Sequence, residues 1–356
     1  MELEATSQRT YFIIYFFYQE DNDMKRTVVI ASLLFVASAV FAIGSSDSNK
    51  TSTGTMILRY AENQPQDYPT TKAAYEFARI IEEKTNGRIK VEVYYGAQLG
   101  DEKTVIEQLQ FGAIDFTRVS VSPLAEFSKS LNVLQLPYLY RDADQMWKVL
   151  DGEIGQDFLK SLEASGFIGL SWFDSGARNF YNSRRPVNSL ADLRGLKIRV
   201  QESQQMMDMV QALGANPTPM AYGEVYSALQ TGVIDGAENN WPSFESTSHY
   251  EVSKYFVLDE HTRVPEPQLV SKMTWNKLSA ADQKIIREAA AEAAKLERKL
   301  WVEREKESEA KVRAGGAVIT TLSAAEKQKF QDAMAPLYKK YGAGYEDIIA
   351  KIQATR

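Results

Sequence analysis

Two stretches of this chain align without a gap at a separation of 120 residues: Glu102–Ser120 reads EKTVIEQLQFGAIDFTRVS, and Tyr222–Asn240 reads YGEVYSALQTGVIDGAENN. The shared core is L-Q-x-G-x-I-D, carried by Leu109, Gln110, Gly112, Ile114 and Asp115 and again by Leu229, Gln230, Gly232, Ile234 and Asp235. Val105 pairs with Val225 in the same alignment. In each copy an apolar-periodic run ends at a glycine suited to a left-handed helix cap, and a short β-prone run follows, expected at 113–117 and 233–237. A chance match is the competing reading, but the common order of helix, glycine and strand argues for a duplicated unit.

The flanks repeat the pattern. Gly-led strands, GRIKVEVYYG from Gly87 and GLKIRVQES from Gly195, precede the two copies. An amphipathic helix over 71–86, with Ala74, Phe77, Ala78 and Ile81 on one face, stands before the first, and the strand MILRYAEN stands before that helix. Alternation of strand and helix predicts an α/β fold with largely parallel sheets, here in two similar lobes. Ser189 and Asp192 have the spacing of a capping box, as do Ser323 and Glu326. A helical run from Ser279 to Arg313, closed by Gly315 and Gly316, is expected to span both lobes, because about 35 residues at ~1.5 Å each reach roughly 50 Å.

The 356 residues suit two domains, and a net charge of −6 without a basic stripe argues against a nucleic-acid partner. Near the start, Met24-Lys25-Arg26 precedes an apolar run from Thr27 to Ala42 that ends Val40-Phe41-Ala42. This layout predicts a secretory signal over 24–42 with cleavage near Ala42, a spurious upstream segment before Met24, and a polar linker to residue 56. A membrane anchor is the alternative. The chain has no cysteine, which excludes disulfides, thiolate catalysis and a lipid-modified cysteine. An exported chain with a sizeable core and no cysteine suits the bacterial periplasm.

Three arginines fall at expected strand ends within apolar sequence: Arg118 after AIDFT, Arg178 in DSGARNFYN and Arg199 in LKIRV. In an open α/β sheet that edge is where ligands bind. A buried guanidinium needs an anion, and a guest carboxylate suits its planar fork. Internal pairing is the alternative for each, with Glu102 and Glu238 among the available acids. Asn239 and Asn240 offer amides at the matching edge of the second copy, and Trp241 is expected to stack on a sugar face or else to pack in the core. Tyr222 and Glu102 open the two repeated helices at equivalent positions. His249 and His261 are the only histidines, and no motif for nucleophilic, metal-dependent or phosphate chemistry is present. No catalytic residue, metal or cofactor is expected.

The stretches GAQLGDEKTVIEQLQFGAIDFT, LRGLKIRV, LGANPTPMAYGEVYSALQTGVIDGAEN and LSAADQKIIREAA together resemble the periplasmic solute-binding subunits of TRAP transporters, the DctP family. The likeness runs from about Leu58 to Tyr341. It implies a two-lobed periplasmic binding protein, not an enzyme. The expected lobes are 57–176 with 265–304, and 177–264 with 305–356. It also implies delivery of an organic acid to a membrane permease of one small and one large subunit, driven by an ion gradient. By motif, Arg199 resembles the main carboxylate clamp, Arg178 a second cleft arginine and Asn239 a carboxylate-side amide. Tyr222 resembles an aromatic wall, and Glu102, with Asn63 and Gln64, the polar contacts of the first lobe. Arg118, where some members have an acid or a small residue, together with AENQPQDYPTT and ENNWPSFEST, resembles a subgroup that binds hexuronates such as glucuronate and galacturonate. Sialate, C4-dicarboxylates and aldonates stay open as ligands. An enzyme acting on acidic sugars and a binding protein of an ATP-driven importer stay open as functions.

Overall fold

The computed structural model describes residues 54–356. The upstream segment, the expected signal sequence and most of the linker lie outside the described residues. The strands are β1 (Met56–Ala61), β2 (Ile89–Tyr94), β3 (Phe116–Arg118), β4 (Phe167–Phe173), β5 (Ala177–Asn182) and β6 (Lys197–Val200). They continue with β7 (Asn216–Pro219), β8 (Gly236–Asn239), β9 (Tyr255–Leu258), β10 (Thr262–Arg263), β11 (Glu266–Ser271) and β12 (Val318–Thr321). One sheet has the order β2-β1-β3-β11-β4. The other runs β12-β9-β5-β8-β6-β7, with β10 added to β5. Pairing is parallel within β2-β1-β3 and within β8-β6-β7, as the strand–helix alternation predicts. β11 and β5 run antiparallel to their neighbours, because each enters its sheet directly from the other lobe without a crossover helix.

The duplicated motif has one structural job in both lobes. Gly112 and Gly232 take left-handed backbone angles, φ 70° and 74°, and so end their helices. Ile114 and Ile234 are then fully buried. The aspartate that follows turns back on the neighbouring parallel strand: Asp115 Oδ2 accepts the Arg59 N–H at 2.7 Å, and Asp235 Oδ2 accepts the Lys197 N–H at 2.9 Å. The carboxylate thus replaces one rung of the ladder. For this reason β3 and β8 begin at Phe116 and Gly236, about three residues after the expected starts.

Helix Pro69–Lys84 buries Ala74, Phe77, Ala78 and Ile81 on the first sheet. Helix Ala280–Ala314 is 35 residues long, with Ser279 Oγ accepting the Asp282 N–H as its cap. Its first half packs Ile286, Ala289, Ala290 and Ala293 into the core of the first lobe. Its second half reaches the other lobe, where Arg304 bonds Glu245 at 2.6 Å and Val312 enters the second core. The single terminal helix expected after Ser323 is instead three: Ala324–Asp332, Ala335–Tyr341 and Glu346–Ala354. Pro336 in the first turn of the second, and Gly342 and Gly344 after it, make the breaks. The last of these helices places Ile349 and Ile352 in a cluster with Leu131, Met146 and Leu150 of the first lobe, whereas the expected division assigned all of 305–356 to the second.

Gly236 sits where β8 lies between β5 and β6. A Cβ there would stand 2.2 Å from the Tyr181 carbonyl oxygen. Gly236→Ala should therefore cost about 1–3 kcal/mol, read as a lower urea midpoint with an unchanged slope.

Candidate functional site

A cavity of about 320 Å³ opens between the lobes, with Asn63, Glu102, Arg199, Gln201, Met220 and Tyr222 among its walls. Its inner end narrows to about 20 Å³ between Gln64, Arg118, Arg178, Asn239, Ser243 and Trp301. The lobes meet around this space. Tyr68 Oη and Ser243 Oγ lie 2.9 Å apart, and Glu126 accepts the Gln204 N–H at 2.9 Å.

The three arginines converge here but differ in what they hold. Arg178 is taken by Glu238: its Nε reaches Oε2 at 2.5 Å and its Nη2 reaches Oε1 at 2.8 Å. Arg118 is taken more fully. It bonds Glu62 through Nε at 3.1 Å and through Nη2, and Nη2 also reaches Asn63 Oδ1 at 2.8 Å. Its Nη1 lies 3.1 Å from Glu266 and 3.6 Å from Glu102. For these two the internal pairing holds: each lines the inner end of the cavity, as a cleft arginine was expected to, with an acid of the protein already beside it.

Arg199 is different. It is 3% exposed, it ends the edge of β6 that faces the other lobe, and it has no ion-pair partner among the described residues. Both Nε and Nη2 donate to the Met220 carbonyl, at 2.9 and 2.7 Å. That anchor fixes the plane of the guanidinium and leaves Nη1 free. Burial lowers its pKa, and the charge of Glu238 at longer range only partly opposes this.

The other expected residues fall as follows. Asn239 Oδ1 accepts the Asn240 N–H at 2.9 Å, which leaves its amide NH2 for the cavity. Asn240 lines the inner end, but its Oδ1 caps the helix Trp241–Ser246 by accepting the Ser243 N–H. Tyr222 lines both parts of the cavity, and its buried hydroxyl has no partner; the same is true of Gln64 Oε1. Glu102 caps the first-lobe wall, where Oε1 accepts the Ser120 N–H at 2.8 Å. Burial, with the charge of Glu266 beside it, lifts its carboxyl to about 7. Trp241 is a correction: it stacks on Phe256 at 4.2 Å in the second core and lines neither part of the cavity.

Sequence reasoning missed Glu62, Tyr68, Gln201, Ser243, Glu266 and Trp301. The strand-end rule that selected Arg199 applies equally to Glu62, just after β1, and to Gln201, just after β6. Trp301, in mid-helix and 1% exposed, carries no local signal. Behind the cavity, His261 bridges Asp259 at 2.9 Å and Glu238 at 3.3 Å. Burial alone would lower its pKa, but the two carboxylates hold it up at about 9. Burial alone would raise Glu238, but Arg178 and His261 hold it at about 2. Among the described residues no cluster of His, Asp and Glu is arranged to hold a metal.

Comparison with known proteins places these features in context. The model for bacterial extracellular solute-binding proteins, family 7 (DctP) matches residues 60–344. A solute-binding protein of Chromohalobacter salexigens is 45% identical over 277 residues, 78% of this chain and 82% of that one. A TRAP periplasmic solute-binding protein of Bradyrhizobium, solved with α/β-D-galacturonate, is 45% identical, covers 84% of this chain and 99% of its own, and superposes with a TM-score of 0.81. One from Pseudomonas putida, solved with D-glucuronate, is 41% identical over 85% of this chain and 98% of its own, with a TM-score of 0.82.

The pH dependence of stability tests the buried network. A folded-state pKa raised above the unfolded ~6.5 contributes stability that is complete below that value and lost as pH climbs through about 9. Urea denaturation of the parent should show stability falling between about pH 6.5 and 9, and His261→Gln should remove that fall. Glu238 acts at the other end: its lowered pKa gives stability above about 4.5 that is lost as pH falls toward 2.

Proposed function

The chain belongs to the DctP family of bacterial extracellular solute-binding proteins, and from that premise we propose that it is a receptor for a hexuronate such as D-galacturonate or D-glucuronate. The observation that carries this reading is Arg199, a buried guanidinium anchored on a backbone carbonyl and left without an acid of its own. A single carboxylate at its free edge would cancel the charge and make charge-assisted hydrogen bonds. The Asn239 amide stands ready on the same wall. The sugar hydroxyls then meet Glu102, Asn63, Gln64 and Tyr222. The galacturonate and glucuronate bound to relatives of about this similarity support the choice of ligand.

Binding and closure are coupled because the guest touches Arg199 and Asn239 on one lobe and Glu102 and Asn63 on the other. Only the closed arrangement offers both sets of contacts, so the ligand shifts the population toward it. The closed complex is then the form delivered to a small and a large membrane subunit, a role the family supports. Residues 24–42 serve as the export signal in this reading, supported by the order of positive, apolar and small residues and by the family's periplasmic members.

Titration calorimetry tests the clamp. Breaking a buried charge pair costs about 2–5 kcal/mol, or roughly 30-fold to several thousand-fold in Kd. Arg199→Ala should abolish measurable uronate binding, while Arg199→Lys keeps a weak remnant, because an ammonium supplies the charge without the fork. Parent-like affinity in either variant would remove the basis for the clamp. Stoichiometric binding with no product after long incubation distinguishes a receptor from an enzyme acting on acidic sugars.

A further inference from the structure

We propose that Glu102 makes this cavity selective for guests with one carboxylate, by excluding acids whose second carboxylate would face the first-lobe wall. The proposal rests on the receptor reading above and adds a rule about which organic acids the receptor refuses.

The distribution of buried charge carries it. On the second-lobe wall Arg178 is balanced by Glu238, and Arg199 is left over as one uncompensated cation. On the first-lobe wall the balance is reversed. Arg118 alone faces three carboxylates, those of Glu62, Glu102 and Glu266, and the side chains of these four residues are 1%, 0%, 14% and 11% exposed. The two walls therefore differ in charge, the second-lobe wall carrying an unpaired cation and the first-lobe wall more carboxylates than cations, and burial keeps water from screening either. A guest with a carboxylate at one end and hydroxyls at the other matches this polarity, whereas a second carboxylate would be buried against an existing excess of negative charge.

Hydrogen bonding points the same way. The first-lobe side keeps two open acceptors beside the amide groups of Asn63 and Gln64: Gln64 Oε1 has no partner, and Glu102 Oε2 has only a 3.5 Å contact from Gln201 Nε2. Hydroxyls donate to such atoms, and an ionised carboxylate cannot. On the second-lobe side the uncommitted groups include the donors Arg199 Nη1 and the Asn239 amide. Glu102 is the group that decides the matter. Glu62 is held directly by Arg118 and lines neither part of the cavity, and Glu266 lies closer to that guanidinium than Glu102 does. Glu102 alone of the three lines both parts of the cavity.

The test compares D-galacturonate with galactarate, the corresponding acid with a carboxylate at both ends, by calorimetry at about pH 8 on the parent, Glu102→Gln and Glu102→Asp. The parent should bind galacturonate and take galactarate at least about 100-fold more weakly. Glu102→Gln keeps the shape and removes the charge, so galactarate should gain about tenfold or more while galacturonate loses several-fold. Glu102→Asp keeps the charge and should keep the exclusion. Galactarate binding within a few-fold of galacturonate in the parent, or no gain in Glu102→Gln while Glu102→Asp binds galacturonate, would overturn the inference and leave the receptor reading standing. Failure of the folded parent to bind any uronate would overturn the receptor reading instead, and the rule built on it.

Discussion

A single uncompensated guanidinium sets the terms for the rest of this molecule. Burying Arg199 without an acid is costly, since a lone ion in a low-dielectric interior loses its hydration and gains nothing in return. Among the described residues its side chain is fixed by the carbonyl of Met220, a dipole rather than a charge. The neighbouring arginines show that the fold is able to neutralise such groups when it closes on them. Arg178 has Glu238 and Arg118 has Glu62, both pairs buried. Three positions around one small space thus differ in kind: two arginines are paired within the walls, and the third has no acid beside it among the described residues.

The walls themselves come from a duplicated element used twice with opposite sign. Gly112 and Gly232 stop their helices in the same backbone conformation, and Asp115 and Asp235 tie the next strand to its parallel neighbour through equivalent hydrogen bonds. Three residues further on the copies diverge at matching positions, Arg118 in one and Glu238 in the other. Each of these is buried and each has acquired a partner of opposite charge from another strand. The scaffold is therefore symmetric where it sets strand register and asymmetric in the charges it places three residues further on. Behind Glu238, His261 and Asp259 extend the network of paired groups toward the interior.

Much of this was legible in the residues. The repeat, the helix caps at Ser189, Ser279 and Ser323, and the length of the Ala280–Ala314 helix are local properties, written in spacing and in residue type. The strand-edge rule brought Arg118, Arg178 and Arg199 to one cavity, together with Asn239, Tyr222 and Glu102. Trp241 was beyond such reasoning, because an aromatic beside two asparagines reads alike whether it faces a guest or Phe256. Trp301 and Glu266 reach the site from a mid-helix position and from an antiparallel strand that arrives from the other lobe, and neither route leaves a mark in the neighbouring residues.

By itself the sequence determined the repeated units: the order of helix, glycine and strand, the caps of the main helices, and which polar side chains stand near the strand ends. It did so because backbone geometry, capping and apolar spacing act over a few residues. Only the tertiary structure decided which of the three arginines stays unpaired, because that depends on carboxylates brought together from 56, 60 and 148 positions away, as between Arg118 and Glu62, Arg178 and Glu238, and Arg118 and Glu266. Charge compensation is a property of proximity in space, and the fold alone sets that proximity.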